Sequence, residues 1–143
     1  MNLDLLPDGT LKNVALHDGY ILGVLIQEEK IVEIIVQEDF TRQVFTIRPS
    51  GVERFRCDEF LEGNIILSFH FFSGIVPNRD DLELLLGTSH PDVAQEYKDR
   101  HEAYIAERIR GIAVGERVFV RSYTSYGAEI FALCDDVEIT LRG

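Results

Sequence analysis

CDEFLEGNIILSFHFFSG, residues 57–74, joins a thiol, three carboxylates, an amide and a histidine to a run of large apolar side chains. The apolar run alternates with a period of two, which is typical of a β-strand over residues 64–72. We predict that one face of this strand belongs to the core; it carries Ile65, Leu67, Phe69 and Phe71. The other face is mixed, and we expect a helix to cover part of it; it carries Asn64, Ile66, Ser68, His70 and Phe72.

Further strand patterns lie on both sides of this stretch. The earlier ones occupy residues 20–26, 31–37, 43–49 and 51–57, and the later ones occupy 117–123, 127–134 and 136–142. The first of them, YILGVLI, is apolar on both faces, so we expect it to be buried on both sides for part of its length. The last, DVEITLR, shows the cleanest alternation of the chain.

Two helical patterns separate the earlier strands from the later ones. The short pattern begins at Asn78, a good N-cap, and stops at Gly87. The long pattern begins at Ser89 and is expected to stop at Gly111. The sequence therefore predicts one α+β domain spanning residues 1–143. Its antiparallel sheet has about seven or eight strands, and one long and one short helix are inserted between the fifth and sixth strands.

Composition limits the function. Acidic residues number 25 and basic residues 14, for a net charge of −11. This charge argues against nucleic acid and against anionic membrane surfaces as partners, and it permits a basic protein partner. Solubility alone is the alternative explanation. No apolar run is long enough to span a membrane, and the chain start lacks a signal-peptide pattern, so we expect a cytoplasmic protein with reduced cysteines.

Three groups of residues are candidates for a ligand site. His17 and Asp18 precede the first strand, where a histidine–carboxylate pair can orient an imidazole; the alternative is a strand-entry turn. Asn64, Ser68 and His70 share the mixed face of the central strand. Tyr123 and Tyr126 lie in RSYTSYGAE, residues 121–129, which we predict to be a loop suited to recognition.

Catalytic and metal-binding motifs are missing from the sequence. Residues 57–70 contain side chains that could bind a metal, but their spacing is not that of a zinc site. Neither Cys57 nor Cys134 has the flanking signature of a nucleophile. No phosphate-binding or dinucleotide-binding loop is present. We therefore predict no catalytic residue, no metal and no cofactor.

Two segments resemble known proteins. GVERFRCDEFLEGNIIL and SYGAEIFALCDDVEI, residues 51–67 and 125–139, are similar to parts of small uncharacterised bacterial proteins, some of them like the immunity proteins of polymorphic-toxin loci. The resemblance implies an antiparallel, β-rich α+β fold and a binding role.

Three functional hypotheses follow from these observations. The first is a non-enzymatic cytosolic interaction protein, of the type that neutralises a basic partner. The second is a small-molecule-binding protein or enzyme that uses His70 and His17 around a pocket on the sheet. The third is a structural or dimerising module that pairs through an exposed strand edge or through the two-sided apolar strand NIILSFHFF, so that the protein is a monomer or a homodimer.

Overall fold

The computed structural model describes residues 3–142 and shows one antiparallel sheet with two helices. The class is α+β, as predicted, and both helices lie between the fifth and sixth of eight strands. The strands are β1 Tyr20–Gln27, β2 Ile31–Gln37, β3 Val44–Ser50, β4 Arg54–Asp58, β5 Ile65–Phe72, β6 Val118–Tyr126, β7 Glu129–Cys134 and β8 Asp136–Arg142. The helices are α1 Arg79–Leu86 and α2 Gln95–Ala113.

The sheet curls back on itself. Its strand order is β4-β7-β6-β5-β1-β2-β3-β8, so β4 and β8 stand at its two ends. However, β4 continues β3 after three residues, and β8 continues β7 after Asp135 alone. Backbone bonds bridge both bends: Asp135 N donates to the Ser50 carbonyl at 3.0 Å, and Glu53 N donates to the Leu133 carbonyl at 2.8 Å. The two bent ribbons therefore join the halves of the sheet around an enclosed core.

Two apolar clusters stabilise the fold. The larger one fills the inside of the curled sheet and includes Ile34, Ile47, Phe71 and Ile130, all completely buried. The second lies on the outer face of β5, β6 and β7, beneath the helices. Its buried members are Leu82, Leu85, Ile105, Ile112, Phe119, Phe131 and Leu133. Strands β6 and β7 are therefore apolar on both faces because both of their faces are covered.

The central strand β5 departs from strict alternation. Its pairing with β6 shifts register between Ile65 and Ile66 and again between Ile66 and Ser68. Such a bulge moves the following side chains to the opposite face. Ile66 is consequently in the core together with Phe69 and Phe71, whereas Leu67 is 46% exposed. The prediction that Leu67 belongs to the core is wrong for this reason.

Strand β1 is less covered than its sequence suggests. Ile21 is buried, and Val24 packs against the core cluster, but Leu22 and Leu25 are 50% and 54% exposed. The helices cover β4, β7, β6 and β5, so nothing described covers the outer face of β1. The expectation of burial on both sides of this strand is therefore wrong for Leu22 and Leu25.

The predicted start and stop signals hold for α1 but not for α2. For α1 both signals are confirmed: Asn78 caps it by accepting from Asp80 N at 2.8 Å, and Gly87 ends it. In contrast, α2 begins at Gln95 rather than near Ser89, and it continues past Gly111 to Ala113. Residues 91–93 form a turn instead, in which Asp92 N donates to His90 Nδ1 at 3.1 Å. Gly111 lies against the Arg117 side chain, which explains a small residue there.

Residues 121–126 belong to β6 rather than to a loop. The turn between β6 and β7 contains only Gly127 and Ala128, both buried. Gly127 has φ 83°, and a Cβ there would lie 2.4 Å from Asn64 Oδ1. The predicted recognition loop is therefore a strand followed by a tight turn that needs glycine.

Candidate interaction surface

His70 is held from both ring nitrogens on the outer face of β5. Nδ1 lies 2.8 Å from the Asp8 carbonyl oxygen, and Nε2 lies 2.9 Å from Ser68 Oγ. Because a carbonyl can only accept, Nδ1 carries the proton and donates it, and in the neutral ring Nε2 accepts from the serine hydroxyl. The ring also stacks on Phe72 and meets the Tyr123 ring edge-on. These contacts fix the imidazole in place and use both of its nitrogens.

Asn64 lies elsewhere and has a different role. It is almost fully buried, and its side chain makes four hydrogen bonds. Oδ1 accepts from Leu61 N and Ala128 N, both at 2.9 Å, while Nδ2 donates to the Leu61 carbonyl at 3.0 Å and more weakly to the Ile21 carbonyl at 3.5 Å. Asn64 therefore fastens the turn before β5 to β1 and to the β6–β7 turn.

His17 and Asp18 form an exposed turn ahead of β1. Asp18 has φ 60°, and this left-handed conformation brings its Oδ2 within 3.4 Å of His17 Nε2. The other nitrogen of His17 lies 2.7 Å from the Leu67 carbonyl oxygen. The strand-entry turn is confirmed, and the two side chains lie on one side of it. His17 and Ser68 also line a common hollow of about 170 Å³, which is smaller than the ~300–1,000 Å³ of typical ligand pockets.

The two tyrosines of the predicted loop differ in exposure. The Tyr123 hydroxyl donates to Asp81 of α1, and its ring lies 4.2 Å from the Arg121 guanidinium. Burial, followed by the bond to Asp81, raises the pKa of Tyr123 to about 12. Tyr126 is exposed, and its hydroxyl donates to Glu62 Oε1 at 2.8 Å, which raises the pKa of Tyr126. Of the two, only Tyr126 presents its ring to solvent.

Tyr126 borders an exposed apolar area, which we call the docking surface: Leu22, Phe60, Leu61 and Tyr126. Each of these four side chains is between 41% and 50% exposed. Leu22, Phe60 and Leu61 line one hollow of about 140 Å³ together with Glu62 and Asn64. The bond from Tyr126 to Glu62 connects the fourth member to that hollow.

The rim of the docking surface is acidic. Glu59 and Glu62 flank the Phe60-Leu61 pair in sequence, and both are exposed. The pKa of Glu62 is lowered by a backbone hydrogen bond within its own residue and by the Tyr126 hydroxyl, so this carboxyl is charged at neutral pH. In another part of the rim, the Arg42 guanidinium lies over the Tyr20 ring, 5.5 Å from its centroid. An apolar centre with a polar, mainly acidic rim is typical of protein-binding surfaces.

The cysteines do not resemble nucleophiles. Burial raises the pKa of Cys134 to about 12, and burial followed by the nearby Asp58 charge raises the pKa of Cys57. A thiol with a raised pKa is largely protonated at neutral pH and reacts slowly. Within residues 3–142, no group of three or more His, Cys, Asp or Glu side chains is arranged to hold a metal ion. Neither of the two described helices is long and apolar enough to cross a membrane.

Comparisons with protein-family models, with curated proteins and with solved structures find no match to this chain.

Sequence reasoning missed most of the docking surface. Among its four members, it singled out only Tyr126. The available signal was the pair of large apolar residues, Phe60 and Leu61, inside a turn between charged neighbours, where solvent-exposed polar residues are usual. It also missed the organising role of Asn64, which depends on bonds to residues far along the chain.

Proposed function

We propose that this protein is a non-enzymatic interaction domain that binds a basic protein partner through the docking surface. The observation that carries the proposal is the half-exposed apolar group Leu22, Phe60 and Leu61 with Glu59 and Glu62 at its rim. Aromatic and aliphatic side chains in such a centre supply most binding energy, while rim charges select the partner.

The charge distribution supports a basic partner. Most arginines are already paired with carboxylates inside the chain, as in Arg79 with Glu83 and Glu102, and Arg110 with Glu107 and Glu116. The acidic excess of the −11 chain is therefore left on the surface. A field of one sign speeds encounter with a partner of the opposite sign. Neutralisation of such a partner, as an immunity protein does, agrees with this chemistry.

A pull-down with purified variants tests the proposal. The bait is the wild-type chain, and the double variant Phe60→Ser/Leu61→Ser removes the apolar centre. We expect the wild-type chain to retain a basic protein at low salt and to lose it at high salt. The double variant is expected to retain at least ten times less, because a hot-spot side chain contributes about 2 kcal/mol or more.

Two matched controls distinguish binding through the docking surface from nonspecific binding by exposed apolar or charged side chains. Phe40→Ser removes an apolar side chain that is 96% exposed but lies in the β2–β3 turn, outside the docking surface. Glu96→Lys changes an exposed charge on α2 by the same amount as Glu62→Lys does at the rim. Both controls should bind as the wild type does, whereas Glu62→Lys should bind less. Undiminished binding by Phe60→Ser/Leu61→Ser, or capture of no basic protein at any salt concentration, would refute the proposal.

A further inference from the structure

Among residues 3–142, no strand pairs with the outer edge of β8. In the described residues, β8 pairs with β3 alone and ends the strand order of the sheet. The described backbone bonds outside the strands include none to residues 137–142. Beside this edge lies a groove of about 620 Å³, between β8 and the segment 3–14. Its apolar lining comes from Leu3, Leu11, Val14, Phe45, Val137, Ile139 and Leu141.

Open strand edges bind other strands, and β8 is complementary to itself. When two copies of β8 run antiparallel about a two-fold axis at Thr140, Glu138 of each copy lies opposite Arg142 of the other. Ile139 then lies opposite Leu141, and Thr140 lies opposite Thr140. All three are favourable cross-strand pairs. We propose that the protein forms a homodimer in which two β8 strands pair in this register and extend the sheet across both copies.

The side chains of β8 are exposed as this pairing requires. Glu138 and Arg142 are exposed, and no ion pair is seen for either of them among the described residues. Leu141, which faces the inner side with Val137 and Ile139, is 56% exposed. In the dimer each Leu141 is covered by Ile139 of the second copy beside this groove. Burial of this exposed leucine adds to the stabilisation by backbone bonds.

Two features restrict the register between the two β8 strands: the sheet face on which each side chain lies, and the charges that come opposite each other. A shift of one residue would place inward side chains opposite outward ones. A shift of two residues would pair Arg142 with Asp136 and Glu138 with Thr140, which leaves Glu138 without an opposite charge from the second copy. Arg48 of β3 also lies opposite Glu138 on its paired side, so Glu138 lies between two arginines in the dimer. The Arg48 guanidinium itself is 3.8 Å from Glu33.

Charge exchange combined with light scattering tests the dimer. We expect the wild-type chain to change from monomer to dimer mass as its concentration rises, at a physiological ionic strength that screens the net charge of the two copies. Glu138→Arg places two arginines opposite each other at both contacts of the dimer, and Arg142→Glu places two glutamates opposite each other at the same contacts. Each single variant should therefore need at least ten times more protein to dimerise.

Mixing the two single variants gives the sharpest result. A heterodimer of Glu138→Arg with Arg142→Glu places an arginine opposite a glutamate at both contacts, so the mixture should form heterodimers close to the wild-type concentration although neither variant does so alone. The double variant Glu138→Arg/Arg142→Glu also restores opposite charges at both contacts, in its homodimer. It should dimerise close to the wild-type concentration. Thermal unfolding of each variant checks that the fold persists, which matters because Glu138→Arg also adds a positive charge beside Arg48.

Three results would overturn the dimer: a wild-type chain that stays monomeric at every concentration, single variants that dimerise normally, or a double variant that does not recover. Glu96→Arg, an exposed charge reversal on α2, should dimerise as the wild type does. The dimer is separable from the proposed partner binding because β8 and the docking surface belong to different parts of the sheet. Phe60→Ser/Leu61→Ser should therefore leave the dimer mass unchanged.

Discussion

The two halves of the sheet are apolar to a similar degree in sequence but differ in what covers them. Strands β4, β7, β6 and β5 lie beneath two helices, and Phe119, Phe131 and Leu133 on their outer faces are almost completely buried. Strands β1, β2, β3 and β8 have no described helix above them, and Leu22 and Leu25 of β1 are half exposed. The covered half therefore stabilises the fold, whereas the surfaces proposed for binding lie on the open half (β8) and at its junction with the covered half, where Leu22 of β1 meets the β4–β5 turn and the end of β6.

Charged contacts follow the same division. In the covered half Glu53 accepts from Arg108 at 2.6 Å, from Arg117 at 2.9 Å and from the Tyr104 hydroxyl at 3.0 Å, which joins α2 to the sheet. Arg121, with a side chain 4% exposed, lies between Tyr123 and Phe131 and contacts Asp81 at 3.3 Å. At the junction between the halves, in the β4–β5 turn, the carboxylates Glu59 and Glu62 face solvent. Carboxylates beneath the helices thus hold α1 and α2 to the sheet, whereas those of this turn remain available to a partner.

The largest difference in unfolding free energy should come from truncating one large apolar side chain in each half to alanine. Phe131→Ala removes a buried ring beneath the helices and should lower the free energy of unfolding by about 3–5 kcal/mol. Leu25→Ala removes an exposed side chain and should change it by less than about 0.5 kcal/mol. Urea unfolding measures both. Similar losses for the two variants would show that β1 is covered in solution.

Sequence patterns predicted the strands well because each strand alternates locally. The eight-stranded antiparallel sheet, the position of the helices and the ends of α1 follow from period-two alternation, Asn78 and Gly87. Whether a helix covers a strand is a different property. YILGVLI in β1 and RVFVRSY in β6 are both apolar on two faces, yet only the second lies under a helix. Which half the helices cover depends on long-range packing of Ile105 and Ile112, and no local pattern shows it.

The candidate site was less predictable for two physical reasons. Bulges at Ile65–Ser68 separate Asn64 from Ser68 and His70, and period-two counting cannot detect a bulge. The docking surface also combines β1 with a turn about forty residues later in the chain. Residue types predicted Tyr126 as a contact residue, but only the fold brings Leu22 beside Phe60.

The junction between the halves should give the second largest effect. Asn64→Ala removes four hydrogen bonds and leaves the backbone groups of Leu61 and Ala128 without their side-chain partner. Unfolding free energy should fall by about 2–3 kcal/mol. Because Asn64 holds the turn with Phe60 and Leu61, partner binding should fall as well. Asn13→Ala is the control: it removes an exposed amide whose one bond, from Nδ2 to Asp4 Oδ2, is 3.4 Å long, and it should change stability by less than about 0.5 kcal/mol. Equal losses for the two variants would argue against the role of the Asn64 bonds.

The Glu53 contacts should give a smaller, pH-dependent effect. Burial raises the pKa of Glu53, but bonds from Arg108 and Tyr104 and the arginine charges lower it further, so it lies below its ordinary value of 4.5. The stabilisation is therefore present above about pH 4.5 and is lost as the pH falls through the folded-state pKa. Glu53→Gln should cost about 1–2 kcal/mol at pH 7, and the two unfolding curves should converge in acid. A difference that persists at low pH would contradict this origin.

The two tyrosine–carboxylate pairs of β6 allow the finest comparison, between a pair beneath the helices and a pair at the exposed junction of the halves. Tyr123 donates to Asp81 under the helices and has a pKa of about 12, raised first by burial and then by Asp81. Tyr126 donates to Glu62 in solvent, and that bond is the first cause of its raised pKa.

Asp81→Asn should lower the Tyr123 pKa, helped by the nearby Arg121 charge, but burial should keep it above 10. Glu62→Gln should return Tyr126 closer to an ordinary tyrosine, because water replaces the lost partner. Ultraviolet titration against Tyr123→Phe and Tyr126→Phe assigns each transition. A Tyr123 pKa that fell fully to 10 in Asp81→Asn would mean that the helices do not exclude water from this side chain.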